Sequence, residues 1–304
     1  MYLLNYIKSP LNYTGGKYKL LPQIMPLFPK DIDTFVDLFG GGFNVGINVN
    51  CNKIIYNEIT SEITDLFDNI HKTDFDTIID NINNIIDDYN KVETKEDFLR
   101  LRADYNKNKS WDKLFVLSCF GFNYSIRFNN KGEYNIPSGI GKCKYSVLMK
   151  DRIFKLKESL KKKEVQFYSK DFREMDLTNL TKNDFVYIDP PYLITQANYN
   201  NNWKEEEEVK LLELMDNLNE RGIRFALSNV TNHKGLSNDL LIEWAKKYNI
   251  HYLNMNYNNS WYCNRSNGCK ENKTIEVLIT NYDMNEPIEV LDITNDKYKE
   301  LSKK

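Results

Sequence analysis

The stretch FVYIDPPYLI, residues 185–194, constrains this chain more than any other. Val186, Tyr187 and Ile188 suit a buried strand, whereas Pro190 and Pro191 have no amide hydrogen to give a ladder and stop the strand abruptly. The strand therefore ends by presenting an acid, a rigid main-chain carbonyl and an aromatic side chain: Asp189, Pro190 and Tyr192. At 304 residues there is length around it for one large domain, or for a domain carrying an insertion.

The flanking text supplies a sheet. DTFVDLFGGGFNVGINV (33–49) has the pattern of a strand from Thr34 to Leu38, a glycine turn and the amphipathic start of a helix, and KIIYNE (53–58) reads as a second strand. That is the opening of an α/β unit with a parallel sheet. Strand and helix signals alternate again in VQFYSKDF (165–172), DFVYIDPPY (184–192), a helix from about Glu205 to Arg221, RFALSNV (224–230), a helix near 237–248, IHYLNMNY (250–257) and IEVLITNY (275–282). Between the halves, residues 61–104 are acidic and helical in spacing, and 113–146 pass from an apolar helix into a loop rich in Asn, Gly, aromatic and basic residues. The expected architecture is α/β: a sheet domain built from 1–60 and 161–304, with 61–160 as a mostly helical insertion.

Composition mainly excludes. A net charge of −2 and a pI near 6.0 announce no global field for nucleic acid, so such a role needs a local patch. Residues 142–163 provide one, with nine Lys or Arg against Asp151 and Glu158. The five cysteines form no CxxC pair and the three histidines lie far apart, which argues against a zinc or disulfide framework; no metal is expected. No apolar run approaches a membrane span and the N-terminal residues lack a signal-peptide layout, so a cytoplasmic protein is expected. The run EEEE (205–208) falls at a predicted helix start, where carboxylates favour the positive end of the dipole rather than a metal. WYCNRSNGCKENK (261–273) reads as a hairpin loop between the last two strands.

The chemistry concentrates where strands end. FVDLFGGG places glycines at a strand-to-helix turn, letting backbone approach a ligand closely, although a plain tight corner uses the same residues. Its spacing departs from the G-x-G-x-x-G dinucleotide fingerprint, which disfavours a nicotinamide cofactor. Glu58, ending the next strand, is placed to accept hydrogen bonds from a ribose diol. In DPPY, Asp189 and the Pro190 carbonyl can each accept one N–H of a planar exocyclic amine. That turns the nitrogen toward tetrahedral geometry with its lone pair aimed at an electrophilic methyl group, while Tyr192 holds the ring by stacking and the prolines fix the acceptors.

Taken together and in order, these segments resemble the DNA adenine methyltransferases of the Dam type. LNYTGGKYKLLPQI (11–24) is similar to the family's opening motif, implying that Tyr13 packs near the adenine of S-adenosylmethionine and Lys17 near its methionine end. FVDLFGGG resembles the turn that cups the methionine moiety, with Asp37 and Gly40, Gly41 and Gly42 at the matching positions. YNEI looks like the family's acidic motif, with Glu58 in place of Asp. KDF (170–172) is similar to the motif that recognises the cofactor adenine, here Asp171 and Phe172, and DPPY matches unchanged, bringing Asp189, Pro190, Pro191 and Tyr192 as catalytic residues, Asp189 also beside the cofactor. Its leading Asp favours adenine, since related enzymes acting on cytosine more often begin this motif with Ser.

IRFNNKGEYNIPSG (126–139) resembles the family's DNA-recognition segment, which makes Arg127, Asn129, Lys131, Tyr134, Asn135 and Pro137 candidate DNA contacts. The resemblance implies a methyl group moved to N6 of a flipped-out adenine in duplex DNA, in a restriction-modification system beside a cognate endonuclease or as an orphan methylase. Cytosine N4 methylation and a catalytically silent DNA-binding role are the alternatives. Nucleoside analysis separates the first, and binding of the cofactor without DNA the second.

Overall fold

The computed structural model describes residues 6–195, 203–254 and 274–283. Its strands are β1 (Ile32–Asp37), β2 (Cys51–Asn57), β3 (Glu164–Tyr168), β4 (Phe185–Ile188), β5 (Arg224–His233), β6 (Leu236–Ser237), β7 (Asn249–Leu253) and β8 (Ile275–Thr280). They form one sheet in the order β3-β2-β1-β4-β5-β8-β7, with β6 paired to the end of β5. The strands β3, β2, β1, β4 and β5 run parallel, and β8 runs antiparallel to both β5 and β7. The sequence-predicted α/β class is therefore the observed one.

Strand β4 is buried along its whole length between β1 and β5. Its entry is fixed by Asp184, whose carboxylate accepts the amides of Thr34 at 2.9 Å and Thr181 at 2.7 Å. Strand order reverses between β1 and β4, because β1 connects outward to β2 while β4 begins the run toward β5. Ligands bind open α/β sheets at the carboxyl ends of strands beside such a switch point. Asp37 and Asp189 emerge there.

The amphipathic helix expected after the glycine turn is a single 3-10 turn, Gly46–Asn48. Asparagine side chains explain the shortening, since they compete with helical backbone bonding. Asn48 donates to the carbonyls of Ile7 and Asn44, each at 2.8 Å, and Asn44 accepts the amide of Ser9, so the incoming N-terminal segment docks where a helix would have continued. Of IHYLNMNY, the strand occupies Asn249–Leu253, and residues 255–257 lie outside the described residues, as does the loop 261–273.

The helices are α1 (Leu21–Ile24), α2 (Ser61–Lys72), α3 (Phe75–Asp88), α4 (Lys95–Lys107), α5 (Trp111–Phe120), α6 (Val147–Leu160), α7 (Glu205–Glu220) and α8 (Asp239–Ala245). In α3 the spacing of Ile78, Ile79, Ile82 and Ile85 buries one stripe, and Asp74 caps its start. A capping box of Thr94 and Asp97 starts α4. Helices α2 to α6, the insertion read from sequence, share one continuous core with a face of the sheet. The Phe67 ring of α2 lies 5.7 Å from Tyr56 of β2 and 5.5 Å from Phe43. Two of the nine basic residues at 142–163 belong to this packing. Lys157 donates to the last carbonyls of α2, Ile70 at 2.9 Å and His71 at 3.1 Å, and Lys163 donates to Val49 at 2.8 Å. Among the described residues no helix is long and apolar enough to cross a membrane.

A shared core has a mechanical signature. Phe67→Ala is expected to cost about 3–5 kcal/mol and to lower a single cooperative urea transition followed by both fluorescence and circular dichroism. An early, separate loss of helical signal would contradict the shared core.

Candidate active site

The glycine turn and the ends of β1 and β2 are interlocked. Gly40 lies against the Tyr56 ring, where a Cβ would sit 2.2 Å from a ring carbon. The Tyr56 hydroxyl in turn donates to the Gly41 carbonyl at 2.7 Å. Gly41 adopts φ +46°, and the buried Phe43 follows at φ +58°, so the turn stores backbone strain that ring packing around Phe43 holds in place. Glu58, just past β2, accepts the amides of Gly41 at 3.2 Å and Thr60 at 2.9 Å, and the Tyr13 hydroxyl reaches it at 3.4 Å. The Tyr13 side chain lies against Gly42. Tyr13, Gly40, Gly41, Gly42 and Glu58 are thus brought together.

Asn57, which sequence reasoning passed over, ties three strand ends together. Its amide donates to the carbonyls of Leu38 at 3.1 Å and Lys170 at 3.0 Å, and its oxygen accepts the Lys170 amide at 3.0 Å. That clamp sets the KDF turn, in which Asp171 is held by Arg173 through its backbone amide at 3.0 Å, Nε at 2.7 Å and a terminal nitrogen at 2.6 Å. The Arg173 guanidinium holds the Asp171 carboxyl below the usual carboxylate range. Phe172 is buried against Phe39 and Trp203.

At the end of β4, Asp189 Oδ2 pairs with Lys17 Nζ at 2.7 Å and Oδ1 accepts the Tyr192 hydroxyl at 2.9 Å. The ammonium also donates to the Gly15 carbonyl at 3.1 Å and stands 5.2 Å from the centre of the Tyr192 ring. The Lys17 side chain is only 6% exposed. Burial, followed by the charges of Asp189 and Glu276, raises the Tyr192 phenol well above its ordinary value, which keeps it a donor. Glu276, the lone acid of β8, was missed in the sequence, although a carboxylate inside an apolar strand is itself a signal of a buried functional group.

Asp37 closes the group. It is 2% exposed and accepts the Gly46 amide at 3.2 Å. Burial pushes its carboxyl up to about 8, the Gly46 hydrogen bond opposes the shift, and the charges of Asp189 and Glu58 add to it. Four acids (Asp37, Glu58, Asp189, Glu276) therefore share this end of the sheet with the cation of Lys17. Such a donor set suits a ligand carrying positive charge together with hydroxyls. Among the described residues no group of three or more His, Cys, Asp or Glu is arranged to hold a metal ion.

The candidate DNA contacts lie elsewhere, on a hairpin over residues 126–138. Phe128 and Tyr134 bridge across it, Asn135 donates its amide to the Arg127 carbonyl, and the turn closes through Asn129 and Glu133. Arg127 and Lys131 are exposed, and so is Pro137. Arg127 Nε donates to Asn135 Oδ1 at 2.7 Å. Asn129 uses its side chain inside the turn, accepting the amides of Lys131 at 2.9 Å and Glu133 at 3.0 Å. Tyr134 is placed differently from its exposed neighbours Arg127 and Lys131. It is 1% exposed, its hydroxyl donates to Leu117 at 3.2 Å and Ser125 at 3.1 Å, and Asn106 grips its backbone at both N and O. An aromatic ring so placed anchors the hairpin from within. The hairpin base touches the site, since Asn12, beside Tyr13, donates to the Asn123 carbonyl at 2.8 Å.

The raised Asp37 carboxyl makes stability depend on pH with a defined sign. Below its ordinary value of 3.8 both folded and unfolded chains hold the proton. Between there and about 8 only the folded chain does, so this group's contribution falls as pH rises and levels off above 8. Asp37→Asn keeps an oxygen for Gly46 but does not titrate. Its urea midpoint should decline less than that of the unaltered protein between pH 5 and pH 8; parallel declines would refute the assignment.

Comparison with known proteins agrees with this geometry. The family model of the D12 class N6 adenine-specific DNA methyltransferases matches residues 13–259. The chain is 48% identical over 285 residues to the type II methyltransferase M.FokI of Planomicrobium okeanokoites, covering 91% of this chain and 43% of that protein. It is 47% identical over 287 residues to the modification methylase StsI of Streptococcus sanguinis, again 91% and 43%. It is 27% identical over 278 residues to the DNA adenine methylase of Escherichia coli K12, where 88% of this chain meets 93% of the relative. The chain thus spans less than half the length of the first two relatives. With the strand-end acids, the glycine turn and the DPPY exit on one edge of the sheet, and with a family match across most of its length, the chain belongs to the D12 class of N6 adenine-specific DNA methyltransferases.

Proposed function

We propose that the protein transfers a methyl group from S-adenosylmethionine to the exocyclic N6 amine of an adenine flipped out of duplex DNA. The observation that carries this reading is the exit of β4, where Asp189 and the backbone of Pro190 leave the sheet at the switch point beside Lys17 and Tyr192. The family match and the relatives named as adenine methylases support the same substrate. The two relatives of higher identity are a type II methyltransferase and a modification methylase, which supports a role beside a restriction endonuclease acting on the same site.

Bound S-adenosylmethionine would supply a methyl group made electrophilic by its sulfonium charge. The residues present fit that ligand. Glu58 is oriented by two backbone amides and faces the glycine turn as an acceptor for a ribose diol. A cation arriving at the end of β1 would favour release of the Asp37 proton and be held by the carboxylate so formed. Tyr13 and the Gly40–Gly42 turn form one wall, and Asp171 with Phe172 stands at the end of β3 as the candidate adenine subsite.

The work of the chain is to shape the nucleophile. Adenine N6 is a poor one because its lone pair is delocalised into the ring. Two fixed acceptors, Asp189 and the Pro190 carbonyl, would take its two hydrogens and localise that pair. The bound sulfonium would supply the methyl group and keep the carbon–sulfur electrons, and the nitrogen, made cationic by the new N–C bond, would then release one proton. Asp189 therefore needs no strong basicity. A base in the stack cannot reach this alignment, so flipping is required.

The helices over 61–160 and the hairpin are proposed to hold the DNA. Arg127, Lys131 and Pro137 form the outward surface, while Asn129 and Asn135 shape it from within the hairpin. Arginine at such a position suits phosphate or guanine.

Incubation with duplex DNA and methyl-labelled S-adenosylmethionine, followed by nucleoside analysis, should give N6-methyladenine; label in N4-methylcytosine would select the other amine. Asp189→Ala, and the volume-conserving Asp189→Asn, should abolish transfer while the protein stays folded. A near-normal rate in either would remove Asp189 from the reaction. Arg127→Ala should weaken duplex binding and reduce the slope of log affinity against log salt by about 0.9 if it neutralises one phosphate; unchanged affinity would take this residue out of recognition.

A further inference from the structure

Glu276 stands inside β8 and is only 3% exposed. Burying a carboxylate there is costly unless charges or hydrogen bonds compensate it. Two of its contacts run into the site: Oε1 lies 3.8 Å from Lys17 Nζ and 3.5 Å from the Tyr192 hydroxyl. These are the same two donors that hold Asp189, Lys17 on Oδ2 at 2.7 Å and Tyr192 on Oδ1 at 2.9 Å. Each oxygen of Asp189 therefore already carries a donor, and both donors have a second acceptor within about an ångström of bonding distance, in a single atom of Glu276.

That arrangement matters for an incoming amine. An Asp189 oxygen bound by an ammonium is a weakened acceptor, and its lone pairs are partly spent. Pulling a buried ammonium away from its only anion would be prohibitive, whereas moving it between two anions that flank it costs little. The phenol can make the same move by a small rotation. We propose that Glu276 is a positioning residue for methyl transfer. As the target amine enters, Lys17 and Tyr192 lean from Asp189 toward Glu276, freeing an Asp189 oxygen to accept the N–H while the lysine charge stays neutralised. The proposal rests on the reading of Asp189 as the amine acceptor.

The test is a set of single-turnover methylation rates on duplex DNA, with cofactor and DNA affinities and thermal midpoints measured beside them. Glu276→Gln keeps the volume and loses the charge. It should slow the transfer step about tenfold or more, measured at saturating cofactor and so beyond any change in cofactor affinity. Glu276→Asp keeps the charge one methylene further back, should give an intermediate rate, and serves as the probe if the Gln variant loses its fold. In a Lys17→Met background the same Glu276 substitution should cause a smaller further loss, because only the Tyr192 hydroxyl remains to be exchanged.

A Glu276→Gln rate equal to that of the unaltered protein would overturn the exchange, as would an undiminished loss in the Lys17→Met background. Failure of the unaltered protein to methylate DNA while binding both ligands would instead overturn the functional reading, and the exchange with it.

Discussion

The contact on which the site depends is the ion pair between Lys17 and Asp189. It joins a residue near the start of the chain to the exit of the central strand, and both partners are largely withdrawn from water. Desolvation makes such a pair a poor source of stability, yet removing one partner strands the other. Its value is geometric. The ammonium, also bound to the Gly15 carbonyl, draws the turn at 15–17 onto the end of β4. The same short segment places Tyr13 against Gly42 and Glu58, and Asn12 against Asn123 at the base of the hairpin. Six residues thus join the strand ends, Glu58 and the hairpin over residues 126–138.

Around that pair the sheet arranges acids by topology alone. Parallel strands release their carboxyl ends on one edge, so Asp37, Glu58, Asp171 and Asp189, far apart in sequence, arrive together. The antiparallel β8 reaches the same place from the opposite direction and contributes Glu276 near its start rather than its end. Burial, and after it the charges of the neighbouring carboxylates Asp189 and Glu58, push up the proton affinity of Asp37. Positive charge arriving there relieves the repulsion.

Much of this was legible in the sequence because it is local. The proline pair after Ile188 ends a strand wherever it occurs, and the glycine run after Leu38 forces a turn, so fold class, strand ends and the acids presented at them follow from short-range rules. The parts that were not legible depend on partners distant in the chain. The helix expected after the glycine turn gives way to a 3-10 turn because Asn44 and Asn48 bond to residues 7–9 instead. Tyr134, in a loop rich in polar residues, looks available to DNA until Asn106 and Leu117 are seen to hold it inside. The run at 205–208 reads correctly as a helix start, but Glu208 within it is buried, accepting Trp203 at 2.7 Å, Asn229 at 3.2 Å and Asn238 at 3.0 Å from separate elements. Periodicity identifies which residues face inward and says nothing of which polar group will meet them.

Under the DNA role proposed for the hairpin, the burial of Tyr134 bears on how such a protein would change its target. The hairpin divides into an inner part, gripped by Asn106 and by Arg102 on the Ile136 carbonyl, and an outer rim that bears Arg127 and Lys131. Mutations at the rim leave the grip intact and are close to neutral for folding. Where the rim meets DNA as proposed, substitutions there can alter base preference on a mount that still folds. Divergence of specificity among such proteins should then be a matter of few, exposed positions.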